Sequence, residues 1–110
     1  MDDIITVIKG TELKLRLEVI MGDYAFMDCD FSVKAYTSNG PSVTILKDKC
    51  ITIEGEDTAC FLPIDTSLLN AGVLILDIRL NIPDDDYTSP IDDGYRTEIY
   101  RKRTNIKIIE

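Results

Sequence analysis

Gly72-Val73-Leu74-Ile75-Leu76-Asp77-Ile78-Arg79-Leu80-Asn81-Ile82-Pro83 decides how this chain is read. Leu74, Leu76, Ile78, Leu80 and Ile82 fall at every second position, with Ile75, Asp77, Arg79 and Asn81 between them. Only a β-strand places alternate residues on one face. Pro83 has no amide hydrogen to give to a ladder and ends the strand. After the acidic loop from Asp84 to Gly94, the segment Tyr95 to Ile109 is extended again, with Thr97, Ile99, Thr104, Ile106 and Ile108 at β-favouring positions. A long hairpin is not stable alone in water, so earlier strands must supply its partners.

Those strands are legible upstream. Ile4 to Ile8 is a short β-rich run turned by Lys9-Gly10-Thr11. Leu13, Leu15, Leu17 and Val19 alternate with Lys14, Arg16 and Glu18, the pattern of a half-buried strand. Phe31, Val33 and Ala35 alternate with Ser32, Lys34 and Tyr36. The turn formers Thr37 to Pro41 then separate this strand from a further one at Ser42 to Leu46. Lys49 to Glu54 and Thr58 to Pro63 read as a hairpin around Gly55-Glu56-Asp57. Asp65 to Gly72 changes character: Asp65 or Thr66 caps a single helical turn and Gly72 ends it. The expected fold is all-β, an antiparallel immunoglobulin-like sandwich of about seven strands with one short helical turn, and an antiparallel barrel is the alternative. Leu15, Leu17, Phe31, Val33, Leu76, Ile78 and Leu80 are the expected core.

The 110 residues make one domain, 1-110, large enough for a two-layer core. No apolar run approaches the roughly 20 residues of a membrane span, and the acidic start Met1-Asp2-Asp3 is unlike a signal peptide, so synthesis in the cytoplasm is expected. The net charge of -8 disfavours nucleic acid phosphates and anionic lipid as partners. Cys29, Cys50 and Cys60 are odd in number and scattered, which suits free, buried thiols in a reducing compartment, with a Cys50–Cys60 disulfide as the less favoured alternative.

Three constellations invite a chemical reading. Asp84, Asp85, Asp86, Asp92 and Asp93 gather carboxylates of the kind calcium favours, with Asp84, Asp86, Asp92 and Asp93 as candidate ligands. An EF-hand starting at Asp84 would, however, need Gly where Ser89 stands and Glu where Tyr95 stands. The plain alternative is a solvated loop whose Asp side chains cap turn amides. Catalysis is not expected, because the chain has no histidine, and therefore no Ser-His or Cys-His pair and no usual general base near neutral pH. The tract Arg96, Arg101, Lys102 and Arg103, beside Tyr95 and Tyr100, reads as the solvent face of the last strand and as a protein interface, where Tyr and Arg are enriched. Ile91, Tyr95, Tyr100, Arg101 and Arg103 are the candidate interface residues. If the acidic loop of one subunit met this basic run on the next, a salt-sensitive homo-oligomer would result.

The order Ile8-Lys9-Gly10-Thr11, Asp30-Phe31-Ser32-Val33, Ile64 to Gly72, Ile82 to Tyr87 and Asp93 to Ile99 resembles small β-sandwich virion proteins of phages and prophages of gut Bacteroidetes, crAss-like phages included. The resemblance spans nearly the whole chain and is one of pattern. It implies a non-enzymatic structural or adaptor protein of the particle, in a head fibre, the capsid decoration, the neck or the tail baseplate. Its partners would be other virion proteins and copies of itself, with no cofactor, nucleic acid or membrane. A calcium- or carbohydrate-dependent binding module is the alternative, though the lack of tryptophan removes the usual platform for a sugar.

Overall fold

The computed structural model describes residues 3–22, 24–38, 40–86 and 94–110. Eight strands follow in order: β1 (Ile5–Ile8), β2 (Glu12–Glu18), β3 (Asp30–Tyr36), β4 (Ser42–Leu46), β5 (Ile51–Thr52), β6 (Ala59–Asp65), β7 (Gly72–Pro83) and β8 (Tyr95–Ile109). Short 3₁₀ turns sit at Phe26–Asp28, Lys47–Lys49 and Thr66–Leu68. The strands form a five-stranded sheet in the order β1-β8-β7-β3-β4, curled like half a barrel, and a three-stranded sheet in the order β2-β6-β5.

Between the sheets lies one core. From the larger sheet come Phe31, Val33 and Ala35 of β3, Leu74, Leu76, Ile78, Leu80 and Ile82 of β7, and Ile106 and Ile108 of β8; Leu17, Cys60, Leu62 and Ile64 come from the smaller sheet. The alternation in β7 therefore does what its period dictates, with its even-numbered side chains buried and its odd-numbered ones turned to the outer face. Leu15 departs from expectation: it is only partly buried and lines a recess with Lys102 and Arg103, whereas Leu17 on the same strand is buried. Phe26, read as part of a loop, is fully buried and stacks on Phe31 with ring centroids 4.2 Å apart. That contact closes one end of the core with an aromatic pair.

Three further expectations are corrected. The strands are not wholly antiparallel, because β1 runs parallel to β8 with Ile5 opposite Ile106 and Ile8 opposite Ile109. Lys9-Gly10-Thr11 carries the chain from one sheet to the other instead of closing a hairpin, so nothing binds β1 to an antiparallel partner. The run Lys49 to Glu54 contributes only the two residues of β5, since the turn at Lys47–Lys49 holds its start. Gly72 does not end the helical turn. The turn stops at Leu69, while Gly72 opens β7 at φ 140°. A Cβ there would lie 3.3 Å from Cβ of the buried Thr37, in a backbone region that L-residues avoid.

The Asp65 cap is as expected, its carboxylate accepting from Ser67 N at 3.0 Å and from the Ser67 hydroxyl at 2.7 Å. The Ser67 donors hold the Asp65 carboxyl below its ordinary value. Thr66, fully buried beside it, accepts from Gly10 N at 3.0 Å and donates to Thr11 O at 2.6 Å. One hydroxyl thus ties the β1–β2 turn to the crossover into β7.

Candidate interaction site

The outer face of the larger sheet is built by β3, β7 and β8 in register. Asp77 stands opposite Lys34 on one side and Arg101 on the other. Arg101 grips the Asp77 carboxylate with two bonds, Nε to Oδ1 at 2.9 Å and Nη2 to Oδ2 at 3.2 Å, while the Tyr36 hydroxyl donates to the same carboxylate at 3.1 Å. A two-pronged guanidinium–carboxylate contact fixes geometry as well as charge. The Arg101 hydrogen bonds pull the Asp77 carboxyl below its ordinary range against its desolvation, and Asp77 in turn raises Arg101. Desolvation, then the bond to Asp77, pushes the Tyr36 hydroxyl up. Lys34 and Arg101 approach the Tyr36 ring, at 5.6 and 6.0 Å.

Along this face β8 presents Tyr95, Ile99, Arg101 and Arg103, whose odd numbers place them together. Ile99 is 62% exposed and Tyr95 49% exposed. Tyr100 points the other way. It lies over a recess of about 260 Å³ with Ile20, Tyr24 and Glu98, and its hydroxyl donates to the Glu98 carboxylate. The expected set of interface residues is therefore split between two faces, with Tyr95, Arg101 and Arg103 on one and Tyr100 on the other. Ile91 lies outside the described residues. The described tyrosines do not share one face: Tyr36 and Tyr95 belong to the outer face, Tyr24 and Tyr100 to the opposite one, and Tyr87 lies outside the described residues.

Of the acidic loop, Asp84 and Asp86 are described and Asp92 and Asp93 lie outside the described residues. Asp84 caps its own turn, Oδ1 accepting from Asp86 N at 3.0 Å, and its Oδ2 lies 3.4 Å from Arg96 Nη1. These are the turn-capping roles of the plainer reading. Among the described residues no group of three Cys, Asp or Glu side chains is placed to hold a metal ion.

The thiols are free. Cys50 and Cys60 are diagonal neighbours across the β5–β6 pairing, where Thr52 faces Cys60. Burial, then the neighbouring Cys60, pushes Cys50 up to about 12, and burial raises Cys29 and Cys60. All three stay protonated at neutral pH and are poor nucleophiles. Beside Cys50 opens a recess of about 690 Å³ lined by Met27, Leu46, Lys47, Arg79 and Asn81.

Sequence reading missed Ile99, Ile20 and Tyr24 as surface apolar groups and missed Asp77 and Tyr36 as the clamp on Arg101. The clamp depends on cross-strand register, which no local pattern prints. The isolation of Ile99 among charged residues was the available signal. Comparison with family models found no match, and the comparisons with curated proteins and with solved structures each found none.

Proposed function

We propose that this chain is a non-enzymatic structural or adaptor protein that works through protein–protein contact, with the outer face of β8 as its docking surface. The observation that carries the reading is the exposure of Tyr95 and Ile99 in line with Arg101 and Arg103, one cation fixed by Asp77 and the other without an ion pair among the described residues. Aromatic and apolar anchors bordered by arginine are what protein interfaces are enriched in. A preformed clamp lowers the entropy lost on docking.

The scaffold is best read as an immunoglobulin-like sandwich. In favour stand the five-stranded sheet with a parallel first strand on its last strand, and the facing sheet of three, an order that corresponds to the two sheets of such domains once the first strand joins the last. The assembly it serves, on the resemblance of sequence, is a phage particle. There it takes the place of a head fibre, capsid decoration, neck or tail baseplate component, made in the host cytoplasm and joined to other virion proteins and to copies of itself. It binds neither nucleic acid nor membrane, in keeping with its acidity.

Incorporation into particles tests this. The double variant Ile99→Asp, Arg103→Glu alters two exposed side chains and leaves the core intact. It is expected to fold normally and to be left out of purified particles. Incorporation at the native level would reject the docking face.

A further inference from the structure

Four strands lie at sheet edges, and three are protected. β2 alternates Glu12, Lys14, Arg16 and Glu18, β5 is two residues long, and β4 follows Pro41 and presents Ser42 and Thr44. Charge, brevity and proline are the usual means of keeping an edge from pairing. β1 has none of them. Its sequence is Ile5-Thr6-Val7-Ile8, preceded by Ile4, with Ile4 67%, Ile5 52% and Ile8 65% exposed.

The direction of its free hydrogen-bonding groups follows from one contact. Lys9 N donates to Ile109 O at 2.6 Å, so Lys9, and with it Val7 and Ile5, turn their main-chain groups toward β8. Ile4, Thr6 and Ile8 turn theirs away, to the open edge. The flanking charges are opposite in sign: Asp3 precedes the run and Lys9 follows it. Among the described residues the Lys9 side chain makes one ion pair, a long contact of 3.9 Å with the exposed Glu110.

We propose that β1 is a self-complementary dimer edge whose occupant is the β1 strand of a second copy, antiparallel about a twofold axis at Thr6. In that register Thr6 meets Thr6 once, on the axis, while Ile4 meets Ile8, Ile5 meets Val7 and Asp3 meets Lys9 twice each, as a twofold requires. The two Thr6 residues exchange main-chain bonds, and each Ile8 N–H donates to Ile4 O of the other copy. The Ile8 carbonyl is already taken by Thr11 N and the Thr11 hydroxyl. The exposed isoleucines cover one another, and the parallel charge arrangement, Asp3 on Asp3, is the repulsive alternative. The contact does not use the outer face of β8 and stands apart from the docking surface above.

An edge of this size belongs among weak, reversible interfaces. Sedimentation equilibrium between about 10 μM and about 1 mM is expected to show a monomer–dimer equilibrium. Thr6→Pro removes an outward N–H that β8 does not use. It is expected to abolish the dimer while melting close to the native temperature. Asp3→Lys is expected to weaken dimerisation about three- to tenfold, with two like-charged pairs created, and adding Lys9→Asp is expected to restore it. A native chain that is monomeric at about 1 mM overturns the proposal, as does a folded Thr6→Pro that dimerises with an unchanged constant. If Thr6→Pro does not fold, the charge pair decides: restoration in the double variant upholds the register, and no restoration overturns it.

Discussion

The two parts of β8 belong to one strand and one sheet, yet live in different surroundings. From Thr104 to Ile109 the strand has β7 on one side and β1 on the other, and Ile106 and Ile108 are buried. From Tyr95 to Arg103 it has β7 alone, and none of its residues is buried. The boundary is a bulge: Val73 pairs with Lys107 but Ile75 pairs with Arg103, so three β8 residues face Leu74. Thr104 bridges the break, its hydroxyl donating to Leu74 O at 2.7 Å and accepting from Ile106 N at 3.1 Å. Isoleucine is core or surface according to the face it occupies and what packs on that face: Ile106 and Ile108 turn inward, while Ile99, and Ile109 beside β1, turn outward and stay exposed.

Ile108→Ala and Ile99→Ala measure that difference directly. The first is expected to cost about 2–5 kcal/mol through lost burial and a cavity, and the second less than about 0.5 kcal/mol. Urea denaturation of both reads the contrast, and similar losses would mean that one part of β8 is misassigned. Ile78→Ala, on the neighbouring strand, belongs with Ile108 in the larger class.

Thr104→Val probes the boundary. It leaves Leu74 O and Ile106 N without their partner and is expected to cost about 1–3 kcal/mol. Amide exchange should speed up at Ile106 and not at Ile99. A silent substitution would show that water replaces the hydroxyl freely.

The open part of β8 adds the Asp77–Arg101 ion pair to its main-chain ladder with β7, so its response to acid differs from that of the buried part. The Asp77 carboxyl is depressed in the folded chain, hence the stability it adds is present above the ordinary aspartate value and is lost as pH falls through the lower folded value. The melting temperature is expected to be flat above about pH 5 and to decline below about pH 4. Asp77→Asn should flatten part of that decline. An unchanged profile would assign the acid response to other carboxylates, Asp65 among them.

The smallest expected effects are nil. Melting with and without a reductant should coincide, because the thiols are free. A large drop on reduction would reveal a disulfide between Cys50 and Cys60. Calcium should leave the melting temperature unmoved, whereas a rise would revive the acidic loop as a binding site.

How much was legible follows from the same physics. β7 announced itself because both its neighbours share its period and its buried face is continuous. Ile99 and Ile106 differ in parity, which the list of β-favouring residues in β8 did not use, so the two environments merged into one. Leu15 looked like Leu17, because the two share the inner face of one strand and no local pattern tells the partly buried one from the buried one. Phe26, Leu69 and Thr66 were hidden because loop residues carry no period. The face split between Tyr95 and Tyr100 was within reach, since five residues along a strand reverse direction.

One consequence of the β1–β8 pairing concerns the order of folding. Ile5 meets Ile106, about one hundred residues away along the chain. Contacts of such separation form after the local hairpins, since the closing loop loses the most entropy. β7 and β8, joined through one loop, can zip early, while the last third of β8 waits with an open edge for β1. During synthesis β1 emerges before the other described strands and β8 after them, so this apolar strand stays unpaired while the intervening strands are made.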